Sequence, residues 1–200
     1  MRTVQSTGLL SQLVAGPANR VTLTRAVLAG VVAVLVVAAT GGSGHVTALV
    51  LVSSVALALD AVDGRVARRT NTVTAFGARF DMEVDAFLIL LLSGYAVHLV
   101  GPWVLAIGLA RYGFVLAGRV LPWLAGQAPP RTWCKVVAAV QGITLTVVAT
   151  GLLSPVGAVL LLAGSLALLI ESFGREAWWL WRHRSPAAIP LQLERVAAHG

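Results

Sequence analysis

The sequence predicts an all-α integral membrane protein with six transmembrane helices, and three observations carry that prediction. Charged residues make up 12% of the chain against 58% hydrophobic, with a mean hydropathy of +0.85, whereas a soluble domain carries about 25% charged residues. Apolar segments recur at 26–40, 46–61, 84–100, 103–123, 133–153 and 155–173. The basic residues alternate with them. The connections after the first, third and fifth segments contain no Arg or Lys, while those after the second and fourth carry Arg65, Arg68, Arg69 and Arg79, then Arg119, Arg131 and Lys135. Cytoplasmic loops carry the excess of Lys and Arg. Both basic termini and the Asp-rich loop after the second segment are therefore expected on the cytoplasmic side of the cell membrane.

Taken in order, residues 1–25 are polar to mixed, with Arg2, Arg20 and Arg25, and form the expected cytoplasmic segment with its juxtamembrane helix. A secretory leader has a basic start, an apolar core and a cleavage site. Residues 26–39 resemble such a core, but further spans follow and the stretch before them is long, so no cleavage is expected. The first two apolar segments are short against the roughly 20 residues of a span. Tilt, bilayer thinning or extension by neighbouring residues must complete them. Pro102 and Pro155 stand at span starts, where proline is tolerated. Trp103, Trp123, Trp178, Trp179 and Trp181 fall at expected interfaces, as an aromatic belt does. Residues 26–173 read as one six-helix domain without internal repeats. Residues 174–200 read as a cytoplasmic tail, an interfacial helix and then a loose end, with no chemistry assigned. The net charge of +7 fits a basic face toward anionic lipid rather than a nucleic-acid partner. The single Cys134 excludes an internal disulfide and a cysteine zinc site, and reads as a structural thiol near a helix start. His45, His98, His183 and His199 have no ligand spacing.

Five of the eight acidic residues lie within residues 60–85: Asp60, Asp63, Asp81, Glu83 and Asp85. On helices, spacings of three (Asp60, Asp63) and four (Asp81, Asp85) put each pair on one face, with Cβ atoms about 5–6 Å apart. Clustered carboxylates repel and resist ionisation. A divalent cation removes the difficulty, because hard oxygen donors suit Mg²⁺ or Mn²⁺. The alternative is a solvated acidic turn between two helices. Its weakness is location, since both pairs abut apolar segments in a chain otherwise poor in carboxylates. Glu83 lies off the shared face and is left out of the metal set.

The spacing is more specific than a metal site alone. Asp63-Gly64, two residues, Ala67-Arg68, eight residues, Gly77, three residues, Asp81, three residues, Asp85, with Asp60 three before Asp63, resembles the signature of the CDP-alcohol phosphatidyltransferases with every fixed position filled. The resemblance implies a membrane enzyme that takes CDP-diacylglycerol or a similar CDP-alcohol, joins its phosphatidyl group to an acceptor hydroxyl and releases CMP. It implies two Mg²⁺ or Mn²⁺ ions held by Asp60, Asp63 and Asp81, with Asp85 touching metal and acting as general base. It also implies a homodimer. Gly64 and Gly77 are small enough for close approach of backbone or ligand in a membrane bundle. The resemblance places them at the cytidine pocket, with plain helix packing as the alternative. Arg68, one helical turn from Gly64, is expected to meet phosphate through a guanidinium that can bind two oxygens. Arg65 and Arg69 read as topology charges. Thr74 falls where the family often has a hydroxyl contacting the CDP moiety. Upstream, Pro17, Asn19, Thr22 and Arg25 resemble the family's Pro-Asn-x-x-Thr-x-x-Arg stretch, with Ala18 intervening. That assigns Asn19 and Thr22 to the nucleotide, a helix N-cap being the alternative for Asn19.

The acceptor is read from the fourth and fifth spans. Arg111 lies mid-span, where an Arg is costly unless it faces a cavity or partner, and Arg119, Arg131 and Lys135 are expected to join it. Phosphatidylglycerophosphate synthases of this family carry an Arg in the fourth span and Gly-Lys-x-Lys-Thr-x-x-Gln at the start of the fifth. Here Lys135 and Gln141 fit, while the glycine, second lysine and threonine do not. A phosphorylated polyol such as glycerol 3-phosphate or inositol phosphate is the expected acceptor, with an unphosphorylated alcohol or a phospholipid as alternatives. A membrane divalent-cation binding or transport protein is the alternative of a different class. It calls for polar or broken helices at the midplane, whereas these carboxylates lie toward one face.

Overall fold

Buried in lipid, a backbone must satisfy its own hydrogen bonds, and helices do so within one segment. The computed structural model describes residues 17–70, 75–125 and 132–183. Among them the regular structure is entirely helical: α1 (Pro17–Thr40), α2 (Val46–Thr70), α3 (Ala75–Val100), α4 (Leu105–Val120), α5 (Thr132–Ala149) and α6 (Pro155–Arg182). Short 3₁₀ turns occupy Ser43–His45, Pro102–Val104 and Pro122–Ala125. Three helices are long and apolar enough to cross a membrane, over Phe80–Val100, Pro102–Val120 and Pro155–Arg182. Thr24–Thr40, Val46–Val62 and Trp133–Ala149 are shorter apolar helical stretches. Six helices stand where six spans are expected, and among the described residues three of them are long and apolar enough to cross a membrane.

The helices differ from the expected segments mainly at their charged ends. Hydropathy stops where charges begin, but backbone hydrogen bonding does not. α1 and α2 accordingly run to 24 and 25 residues, about 36–38 Å at 1.5 Å per residue, so neighbouring residues extend both short segments. The expected juxtamembrane helix and first span form one helix, opened by Pro17, whose missing N–H costs nothing at a first turn. α6 likewise continues unbroken through Arg182, with no structural boundary at 174. It starts at Pro155, and Ser154 caps it by accepting a bond from the Gly157 amide at 3.1 Å. α5 stops at Ala149, before Gly151 takes the positive φ of 69° that turns the chain.

α3 stands at the centre, packed against α1, α4 and α5. α1 packs against both α2 and α3, and α5 against α2, α3 and α6. Val32, Leu49, Leu92, Val104, Leu145 and Leu162 form the fully buried middle. The outward faces are apolar too: Val27, Val31, Val34 and Val37 on α1, and Val156, Leu160 and Ile170 on α6 are exposed. Helices apolar all round suit lipid. Gly108 lets α4 lie directly on the backbone of α3 at Leu90, and Gly142 admits the side chain of Leu57 from α2 against α5. Between α5 and α6, buried Gln141 donates through Nε2 to the Ser165 carbonyl at 2.7 Å and accepts from Ser165 Oγ, while Thr144 Oγ1 lies 3.3 Å from Ser165 Oγ.

Residues 26–59, 86–110 and 136–170 contain no Asp, Glu, Lys or Arg. Helices running alternately up and down therefore gather the charged residues toward one end of the bundle. Contacts between helix ends bear this out: Arg25 near the start of α1 meets Asp60 in the last half of α2 and Asp81 near the start of α3. Trp133, at the start of α5, donates through Nε1 to Glu171 in the second half of α6 at 3.1 Å.

Candidate active site

Three inward stripes converge at the charged end. On α1 the stripe is Arg25, Ala29, Val32, Val36 and Ala39; on α2 it is Leu49, Ser53, Ala56 and Asp60; on α3 it is Asp81, Asp85, Leu88, Leu92 and Tyr95. Steps of three and four keep one face of a helix inward. Each stripe is apolar through the bundle and becomes charged at its end. α2 and α3 are bridged by α1, and the charges meet there. Arg25 Nη2 lies 2.8 Å from Asp60 Oδ1 and also contacts Asp85 Oδ1, while Nη1 lies 2.6 Å from Asp81 Oδ1. The guanidinium is 5% exposed, against 37%, 47% and 33% for the side chains of Asp60, Asp81 and Asp85. A small cleft beside them is lined by Arg25, Ala56, Leu57, Asp60, Val84, Asp85 and Leu88. Leu57, which lines this cleft beside Asp60, packs directly over Gly142 of α5.

The expected site residues divide into three groups. Asp60, Asp81 and Asp85 are brought together, on helices rather than in the expected Asp-rich loop or a solvated turn, because helical backbone bonding continues into the charged sequence. Asp63, Gly64 and Arg68 lie on α2, Gly77 on α3, and Asn19 and Thr22 on α1, but their side chains fall outside the described set. Asn19 is the third residue of α1, which removes the N-cap alternative. Thr74 and Arg131 lie outside the described residues. Of the acceptor group, Arg111 has found a partner: its Nη2 donates to Glu83 Oε1 at 2.7 Å, joining α4 to α3. Glu83 thus stays out of the carboxylate cluster, as its helical position implies. Arg119 and Lys135 are exposed near the same end. Gln141 is 1% exposed and committed to Ser165, so it ties α5 to α6 rather than facing the cleft. Cys134 is partly buried in the first turn of α5, 3.7 Å from Ser172 Oγ, a packing position.

Arg25 was not marked by the spacing of the acidic residues. The signal that finds it is its place four residues before Ala29 on the inward stripe, since a buried Arg needs carboxylates. In kind, the donors fit a divalent metal: carboxylate oxygens from two helices turn toward one cationic position, as hard cations require. The oxygens are spread around the fork of the guanidinium. Among the described residues no three Asp, Glu, His or Cys side chains stand close enough to share one ion as placed.

A helical membrane-type bundle with an acidic cluster at its basic end is the architecture of an enzyme working at a membrane surface on charged substrates. The profile of the CDP-alcohol phosphatidyltransferase family matches residues 17–179, and the chain belongs to that family. Its members are transferases of phospholipid biosynthesis that move a phosphatidyl group from a CDP-alcohol to an acceptor, and they generally depend on a divalent metal. No curated protein and no solved structure matched the chain.

Proposed function

We propose that the protein transfers the phosphatidyl group of CDP-diacylglycerol to a hydroxyl of a phosphorylated polyol, glycerol 3-phosphate or inositol phosphate, and releases CMP. The observation that carries this reading is the meeting of Asp60, Asp81 and Asp85 at one place on the basic end of the bundle. Asp60, Asp63 and Asp81 hold two Mg²⁺ or Mn²⁺ ions, and Asp85 touches metal as well. Bound there, the ions supply Lewis-acid neutralisation of the pyrophosphate. Asp85 accepts the proton of the attacking hydroxyl; the acceptor oxygen bonds to the diacylglycerol-bearing phosphorus, and the bond from that phosphorus to the CMP oxygen breaks. Gly64 and Gly77 leave room for the cytidine; Asn19, Thr22, Arg68 and Thr74 bind the nucleotide and its phosphates. Arg111, Arg119, Arg131 and Lys135 receive the acceptor phosphate, Arg111 leaving Glu83 to do so. The charged end faces the cytoplasm of the cell membrane, and the protein works as a homodimer.

The test is an assay of purified protein with radiolabelled CDP-diacylglycerol, Mg²⁺ or Mn²⁺, and a panel of phosphorylated polyols, free polyols and phospholipids. CMP release and product lipid are expected with a phosphorylated polyol. Product formed only with free alcohols or phospholipids overturns the acceptor assignment, and no CMP release with any acceptor overturns the donor.

A further inference from the structure

We propose that Arg25 is a built-in counter-cation that competes with divalent cations for the carboxylates of Asp60, Asp81 and Asp85, and so sets how tightly the site holds metal. This rests on the metal-dependent reading above. Nη2 of Arg25 donates a hydrogen bond to Asp85 and Nη1 lies at ion-pair distance from Asp81 without hydrogen-bond geometry, so together the two nitrogens approach one Oδ1 atom of each of three carboxylates. A metal held by the same residues would have to draw on carboxylates that Arg25 already contacts. A guanidinium cannot relieve the competition by losing its proton. Nor does it lie loosely over the cluster: Arg25 is almost fully buried at the end of the inward stripe of α1, while the carboxylates remain a third to a half exposed. The anions face the opening and the cation sits behind them. Three carboxyl groups face one guanidinium, so the cluster can still draw a further cation from the open side. That cation would draw on the same three carboxylates as Arg25, whether at their Oδ1 atoms or at the second oxygen of each, and its positive charge would oppose that of the guanidinium.

Competition and simple bracing give opposite results when the charge is removed. If Arg25 only braced the cluster, losing it would disorganise the carboxylates and weaken metal binding. As a competitor, its loss frees the oxygens and removes a positive charge lying within hydrogen-bonding distance of them, where charge–charge interactions are large.

The experiment uses full-length wild-type, Arg25→Gln and Arg25→Lys proteins in lipid nanodiscs, stripped with chelator and titrated with Mn²⁺ alone. Calorimetry, or the spin-resonance signal of free Mn²⁺, reads the affinity, and thermal unfolding with and without Mn²⁺ reads stability. Arg25→Gln is expected to bind Mn²⁺ about tenfold tighter or more, to melt lower than wild type in chelator, and to gain more from added Mn²⁺. Should Arg25→Gln fail to fold, Arg25→Lys carries the test. Its compact ammonium cannot span the contacts of two separate nitrogens, so its Mn²⁺ affinity must also exceed that of wild type. Equal or weaker Mn²⁺ binding by the variants, with wild-type binding intact, overturns the competition alone. Absence of Mn²⁺ binding by all three proteins overturns the metal reading and the competition with it.

Discussion

Gly108→Ala tests how closely the position of Arg111 depends on the contact between α3 and α4. A Cβ at residue 108 would lie 2.7 Å from the Leu90 Cα, 2.9 Å from its Cδ1 and 3.0 Å from Ser93 Oγ. The first of these is backbone and cannot rotate away. Ordinary contact begins at 3.4 Å, so the two helices must part by 0.7 Å at this point. Overpacking of this kind costs about 1–3 kcal/mol, and in a chain of this size about 2–4 °C of melting temperature is lost per kcal/mol. The expected fall is therefore about 2–12 °C. Two other glycines calibrate it. At Gly142 the new Cβ would meet a terminal methyl of Leu57 at 2.6 Å, the far end of a flexible side chain, and at Gly113 it would meet nothing within 4 Å. Melting temperatures should fall most for Gly108→Ala, less for Gly142→Ala and not at all for Gly113→Ala. Because Arg111 is three residues on from Gly108, on the same face of α4, the shift also lengthens the bond to Glu83 and moves the acceptor group. KM for a phosphorylated acceptor should rise while KM for CDP-diacylglycerol holds. A Gly108→Ala protein that melts with wild type, or a Gly113→Ala protein that falls as far, refutes the reasoning.

Three further outcomes follow from the site and the topology. Asn at Asp60, Asp63 or Asp81 should abolish CMP release in a protein that still folds; near-normal turnover of Asp60→Asn or Asp63→Asn at saturating metal would remove the residue from the metal set. Asp85→Asn should bind CDP-diacylglycerol within a modest factor of wild type while turnover falls by about 10²–10⁴-fold, the range for loss of a positioned acid–base group. Binding lost as severely as in Asp63→Asn, with rate restored by excess metal, would make Asp85 chiefly a ligand. Cysteines introduced at Ser43 and Ser154 should react with an impermeant thiol reagent from outside sealed cells, and one at Thr70 should not; labelling at Thr70 would reverse the orientation.

The helices were legible because an apolar run in lipid has one cheap solution, and the carboxylates because their spacing is both helical and unusual. Helix ends were less so. Hydropathy reports where a chain prefers lipid, whereas the ends of α2 and α6 are set by backbone bonding that continues into charged sequence. The partnership of Arg25 with residues 35 to 60 positions further along needs the packing of α1 between α2 and α3, which no local pattern encodes. The stripe spacing does show that Arg25 points inward, and that was readable. Arg111 shows the reverse case: its need for a partner was plain from its place in an apolar run, but the choice of Glu83 required the close approach at Gly108. Gln141 matched a family position in sequence, yet its partner Ser165 lies 24 residues on and is reached only when α6 folds back along α5.

The polar groups of the bundle separate by depth, and the separation argues for what each set does. Gln141, Thr144 and Ser165 are neutral, buried and bonded to one another. Such pairs hold transmembrane helices together at about 0.6–2 kcal/mol each and need no water. The charged set at the end of the bundle is built differently. An exposed ion pair contributes little to stability, and a buried charge holds partners mainly because leaving it unpaired is costly. Here only the cation is dry. Asp60, Asp81 and Asp85 keep a third or more of their side-chain surface open, which weakens their hold on Arg25 and leaves them reachable by soluble, charged molecules. Carboxylates placed this way are poor staples, and their exposure suits the ligand role proposed for them. With Arg25 buried behind them, the open side of the cluster is the side from which the proposed metal ion and nucleotide pyrophosphate would arrive.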